Sequence, residues 1–379
     1  MGKYKASSLV NVSLVLLLFL YGLAFYLNGT LDGSANLQTF VEWIPYDSIQ
    51  YVEKSEHLSF SDLSMADVAT GALNWLSLSF VYKTLNDIGS LGALGFILIN
   101  CLCFYLMVRL GLTSASTSIR LSQANTNHYP ILLFLCSPFL FAWILVPNKE
   151  LLVTAGILGV IHAIAARRML LLVVFTLAVG LIKVQIIFAT VLYLLSRKFH
   201  LRKTMALVGI SLIYPLLYNA VPGLQMSHFL DVNPNEIRTA PIMLAIDSLS
   251  SYPFGYIAIF LVRLVLNLLG GLNAIRIIES DFGMSGLAPL TSFILGLLVI
   301  MSLLFMIKRR DVRNILNSNS DTSYYLFCLL VVHLVLPFMQ PRYYWWTIPI
   351  LLSYIMYGNR PRVSAIHSVP AGFIQGASS

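Results

Sequence analysis

Ionisable side chains are scarce in this sequence, so the places where they gather are where chemistry is expected. The stretch IPYDSIQY (44–51) sets Asp47 among aromatic and aliphatic residues, with Glu53, Glu56 and His57 just beyond. A carboxylate held at a surface by Pro45, Tyr46, Ile49 and Tyr51 can serve as a general base towards a hydroxyl. The same residues also suit a plain solvated acidic loop. The stretch VPNKELLV (146–153) puts Lys149 and Glu150 at the junction of two apolar runs. Glu150 is expected in the first turn of the helix that follows, where the helix dipole favours an acid. Lys149 can meet a phosphate there, although capping and anchoring are simpler roles for the pair. The stretch MQPRYYWW (339–346) sets Arg342 beside Tyr343 and three more aromatics. Guanidinium grips phosphate through forked hydrogen bonds, whereas the aromatics alone suit a membrane boundary. Asp231, Glu236, Arg238, Asp247, Arg263 and Arg276 are further contact candidates, and Lys183 interrupts an apolar run. The sequence has no P-loop, H-E-x-x-H, G-x-S-x-G or C-x-x-C, and its four cysteines lack metal-ligand or disulfide-framework spacing.

The composition says what must position these residues. Of 379 residues, 58% are hydrophobic and only 11% charged, and the mean hydropathy is +0.80. Soluble domains carry about 25% charged residues. Apolar runs that approach the roughly 20 residues of a membrane-crossing helix lie at 9–28, 88–111, 129–147, 150–166, 169–196, 204–222, 253–275, 286–307, 324–341 and 343–357. The expected fold is all-α, a polytopic transmembrane bundle of about ten spans (nine to twelve).

The 169–196 run is too long and holds Gly180 and Lys183 near its middle. Two short helices with a turn near 180–183 put Arg167 and Arg168 on the same side as Arg197, Lys198, Arg202 and Lys203, as the positive-inside rule requires. The 253–275 run, with Arg263 at its centre, is read as a re-entrant or surface-lying helix. Residues 66–87 are read as a helix at the outer interface. On this scheme residues 1–357 form one transmembrane domain with external loops 29–87 and 223–285, and 358–379 is a flexible cytoplasmic tail. The net charge of +8 then belongs to the cytoplasmic surface, and nucleic acid is not an expected partner.

The NKE turn, the acidic first loop and LAVGLIKVQIIFATVLYLL (177–195) together resemble integral-membrane glycosyltransferases of the GT-C type, although the Thr of their G-L-x-x-x-T-K hairpin is absent. RYYWWTIPIL (342–351) is similar to the R-Y-x-x-x-x-x-P segment of bacterial polysaccharide polymerases of the Wzy and EpsG-like groups. The R-x10-G signature of O-antigen ligases is missing: Leu249 lies eleven residues after Arg238, and Ala274 eleven after Arg263.

The resemblance implies a glycosyltransferase that polymerises polyprenyl-(di)phosphate-linked repeat units at the external face of a bacterial inner membrane. Asp47, Glu150 and Arg342 would be catalytic, and Glu53, Lys149, Arg238, Arg263 and Tyr343 would contact substrate. No cofactor and no metal are implied. The implied partners are the lipid-linked glycan, membrane lipid, and a chain-length regulator or flippase. A GT-C enzyme adding one sugar and a lipid-linked glycan flippase or transporter are the alternatives.

Overall fold

The structure, a computed structural model, describes residues 15–16, 18–20, 22–23, 47–58, 73–89, 91–118, 143–144, 147–220, 248–270, 297, 300–301, 304, 321–333, 346 and 349–350. Its named helices are α1 (Asp47–His57), α2 (Leu73–Gly89), α3 (Gly92–Ser118), α4 (Lys149–Ala165), α5 (Met169–Gly180), α6 (Gln185–Lys198), α7 (Lys203–Ala220), α8 (Gly255–Gly270) and α9 (Asp321–His333), with a 3-10 turn at Leu249–Ser251.

α4 is the axis of the bundle. It packs on α3, α5 and α9, and 13 of its 17 residues are buried. A helix apolar all round belongs in a core. Its Val153, Ile157, Val160 and Ile164 share a cluster with Leu172, Val179, Ile186, Tyr325 and Leu329. The chain just before α4 is pinned to α3 by Asn100, whose Nδ2 donates to the carbonyls of Trp143 (3.0 Å) and Ile144 (3.2 Å). α1, α2 and α3 form a second packing group around Tyr51, Leu78 and Phe96. α8 joins through Tyr256, which stacks on Tyr214 of α7 at 4.7 Å and donates its hydroxyl to the Val331 carbonyl of α9 at 2.6 Å.

Successive helices from α4 to α7 alternate in direction. The turns α4–α5 and α6–α7 lie at one end of the bundle, and the turn α5–α6 lies at the other. Arg167 (φ 56°) and His200 (φ 51°) take left-handed backbone in the first two turns. Arg168 N–H donates to Ala163 O and Leu201 N–H to Ser196 O, the 6→1 closure of a Schellman motif. α9 begins at that same end, where Arg197 is ion-paired with Asp321 and Lys203 Nζ donates to Ser323 Oγ at 2.7 Å. It ends with His333 near the α5–α6 turn.

The expected break in the 169–196 run is present: α5 stops at Gly180 and α6 starts at Gln185. The ten-span bundle is not. Among the described residues one stretch, Gly92–Gly111, is long and apolar enough to cross a membrane. α5 and α6 have 12 and 14 residues, about 18 and 21 Å at 1.5 Å per residue, against a hydrocarbon core of about 30 Å. The 150–166 run owes its apolarity to burial within the bundle. Hydropathy counts apolar residues without knowing what covers them, and that is why it overstated the crossings. The multi-pass placement in a bacterial inner membrane rested on those crossings and falls with them. Of the expected loops and tail, 29–46, 59–72, 223–247, 271–285 and 358–379 lie outside the described residues, as do most of 9–28, 129–147, 286–307 and 343–357.

Candidate functional site

The polar cluster is built where α4 begins. Asn148 takes extended backbone (φ −140°, ψ 133°), and its Oδ1 accepts the Glu150 N–H at 2.6 Å. This is a conventional N-cap, replacing one intrahelical partner missing from the first turn. It fixes Glu150 in that turn, as expected from the sequence. Glu150 is 4% exposed, and its Oε1 has no hydrogen-bond partner among the described residues. A buried polar atom left unmatched costs about 1–3 kcal/mol, and more when charged.

Close helix approach carries Lys183 to the same level. A Cβ on Gly156 would lie 1.7 Å from Val179 Cγ2, and one on Gly159 would lie 2.5 Å from the Phe175 ring. The pairs 156/179 and 159/175 define an antiparallel register between α4 and α5. Continued by one turn, that register brings Lys183 beside residues 152–153. Leu152 and Ile182 bear this out by packing on one shared cluster around Tyr51. The turn itself is closed by Lys183 N–H donating to Val179 O (2.7 Å) and Ile186 N–H to Lys183 O (2.9 Å). Lys183 is 5% exposed.

α9 supplies the last members. His333 is 3% exposed, and its ring lies 6.0 Å from that of Trp346, itself 5% exposed. His333 Nδ1 is 2.8 Å from the Leu329 carbonyl. A carbonyl only accepts, so Nδ1 carries the hydrogen and Nε2 presents its lone pair. Burial, reinforced by the Lys183 charge, pushes the imidazole down to about 3, which keeps it neutral. Lys183, His333 and Trp346 thus lie together, and Asn148 and Glu150 open α4 at the same end of the bundle, with Tyr51 of α1 in the adjoining core.

The expected site residues fare unequally. Glu150 is buried in the first turn of α4, and Lys149 is half-buried beside it. Asp47 opens α1 one turn before Tyr51, and its side chain is outside the described residues. Glu53 is exposed on α1. Arg263 lies within α8, its side chain outside the description, and Arg238, Arg342 and Tyr343 lie outside it altogether. His333 and Trp346 were missed. His333 is the one ionisable side chain of the 324–341 run apart from its tyrosines and Cys328, a signal that could have found it. Trp346 was counted only as one of four boundary aromatics.

A second feature lies on the outside. On α5, Leu170, Val173, Val174 and Leu177 are exposed, as is Leu181 just past its end; on α6, Phe188, Val191, Leu194 and Leu195; on α7, Met205, Val208, Leu212 and Leu216. Leu170 is 78% exposed and Phe188 59%. The spacing i, i+3, i+4, i+7 makes each set one helix face, so these helices turn an apolar face outward. At the end of this surface that holds the two Schellman turns, Arg167, Arg168, Arg197, Lys198 and Arg202 are all exposed.

No protein-family model, no curated protein and no solved structure matches this chain. Among the described residues no three His, Cys, Asp or Glu side chains gather as a metal site. Without a matching family or the multi-span architecture, the resemblance to GT-C and Wzy-like proteins does not hold. The glycosyltransferase reading goes with it, whether as polymerase or single-sugar enzyme, and so does the flippase or transporter alternative.

Proposed function

We propose that the protein works at a lipid leaflet, with the α5–α6 hairpin and the outer face of α7 immersed from one side and the basic end seated on anionic headgroups. Of the partners suggested by the sequence, membrane lipid is the one that this surface fits. The observation that carries the reading is the outward apolar face on three successive helices, bordered at one end by a group of exposed cations. An apolar patch of this extent marks a surface that is covered in the working molecule. At about 18 Å, α5 reaches slightly beyond one leaflet's share, about 15 Å, of the hydrocarbon core. The hairpin enters and returns without crossing, which suits helices too short to span. Basic residues near an anionic surface contribute about 1 kcal/mol each.

The test is partitioning of the full-length protein, diluted from detergent, into vesicles of phosphatidylcholine alone or with phosphatidylglycerol. Replacing Arg168, Lys198 and Arg202 together by Gln is expected to weaken binding to the anionic vesicles on the order of 100-fold. Binding to neutral vesicles should hardly change. Equal losses on both vesicle types, or no vesicle binding with formation of a discrete oligomer instead, would overturn the reading.

A further inference from the structure

α3 carries an outward stripe of its own. Leu91, just before the helix, is 39% exposed, Leu98 57% and Leu102 56%, and Arg109 is exposed. The steps i, i+7, i+11 and i+18 set the four on one helix face. Phe96, Ile97, Phe104, Met107 and Val108, which point away from that face, are buried. No Asp, Glu, Lys or Arg lies between Leu91 and Arg109. Leucines exposed singly are ordinary. A stripe of three that ends in a cation is not, on the one described stretch long and apolar enough to cross a membrane. From Leu91 to Arg109 the stripe runs about 27 Å at 1.5 Å per residue, close to the roughly 30 Å of the hydrocarbon core.

Both ends of the stripe meet polar ground. Phe96 shares a cluster with Tyr51 of α1 and Leu78 of α2, and Leu152 and Ile182 pack on the same cluster. The beginning of α3 thus lies level with the start of α4 and with the α5–α6 turn, against α1 and α2. There α1 exposes Glu53, Lys54 and Glu56, and the last turn of α2 exposes Asn86 and Asp87 beside Ile88. α3 packs on α4, and its inner face stays buried as far as Met107 and Val108. The two helices overlap over that length only when they run in the same direction. Arg109 then reaches the end that holds Arg167, Arg168, Arg197, Lys198 and Arg202.

We propose that α3 crosses the bilayer once, with its leucine stripe facing hydrocarbon, Arg109 among the headgroups of the basic end, and α1 and α2 at the opposite surface. Charge is costly within hydrocarbon; on this placement Glu53, Glu56 and Asp87 stand at one surface and Arg109 at the other. α5, at about 18 Å, stops short of the far surface, and Tyr51 of α1 covers its turn through Ile182. That the basic end is the side of entry rests on the lipid-leaflet reading; the crossing of α3 does not.

The test puts two cysteines into the full-length protein, Asp87→Cys on α2 and Lys198→Cys at the basic end. The protein is reconstituted in sealed vesicles of phosphatidylcholine and phosphatidylglycerol, and a polyethylene-glycol maleimide that cannot pass the membrane is added outside. Electrophoresis counts the adducts on each chain above the wild-type background. With α3 crossing, every chain takes one adduct whichever way it is inserted, and a second once detergent opens the vesicles. Chains with two adducts or none in intact vesicles would overturn the inference. Thr84→Cys in place of Asp87→Cys repeats the measurement from a neutral position and guards against a local effect of the first variant. Two adducts or none, with labels on α5 still quenched by nitroxide lipids, would remove the crossing and leave the hairpin in its leaflet. One adduct per chain without quenching on α5 would remove the leaflet reading and leave the crossing standing.

Discussion

The approach of α4 to α5 at Gly156 gives a sharp test of the antiparallel register between them. Gly156→Ala adds one methyl group to α4 at a point 1.7 Å from Val179 Cγ2 and 3.0 Å from Val179 Cβ. Carbon atoms in contact sit about 3.5–4.0 Å apart, so roughly 2 Å must be found. Val179 is 4% exposed within the central cluster, and its branched side chain has little rotamer freedom on a helix. The helices must therefore separate. Overpacking of this kind costs about 1–3 kcal/mol, whereas Ala in place of Gly in a helix returns about 1 kcal/mol through propensity. A net loss of up to about 2 kcal/mol follows, which lowers the melting midpoint by a few degrees. The assay is thermal unfolding followed with a thiol-reactive fluorophore, since Cys101, Cys103 and Cys328 are free and buried and become reactive on unfolding. Val179→Ala added to Gly156→Ala should recover most of the loss, because it removes both Cγ atoms. A stabilised Gly156→Ala, or a double variant no better than the single one, would refute the register.

Tyr256→Phe removes the hydroxyl that donates to the Val331 carbonyl, and should cost about 1–2 kcal/mol because that buried carbonyl loses its partner; denaturant unfolding measures it. His333 is held neutral down to about 3, while in an unfolded chain it titrates near 6.5. Between those values the unfolded chain takes up a proton that the folded one does not. Its contribution to stability is thus intact above about 6.5 and is lost as the pH falls, by up to about 1.4 kcal/mol per pH unit. Melting midpoints measured from pH 7 to 4 should show this slope, and His333→Asn should flatten it. Asp321→Asn breaks an ion pair between partly exposed groups, so its cost should stay below about 1 kcal/mol.

The sequence displayed local events well. The interruption at Gly180–Lys183, the start of α4 at the NKE turn and the common end for the two basic clusters all follow from residue types acting on their own neighbours. The count of spans did not follow, because α4 and α5 both read as apolar strings. α4 is covered by protein while α5 shows its leucines outward, and only packing distinguishes them. The polar cluster was half visible. Glu150 and Lys183 stood out as ionisable residues beside or within apolar runs. That they lie at one end of the bundle depends on Gly156 and Gly159 setting an antiparallel register, and His333 comes to meet Lys183 from about 150 residues further along the chain. No local pattern encodes that meeting.

The leaflet claim is most directly tested by depth. A bimane label placed singly at residues 170, 174, 177 and 181 on α5, in vesicles carrying nitroxides at stepped acyl positions, measures how far each site lies below the headgroups. Quenching should deepen from 170 to 181, reach about 15–20 Å, and lie on the side of the basic end. Labels quenched only by aqueous agents, or all at a single shallow depth, would contradict it.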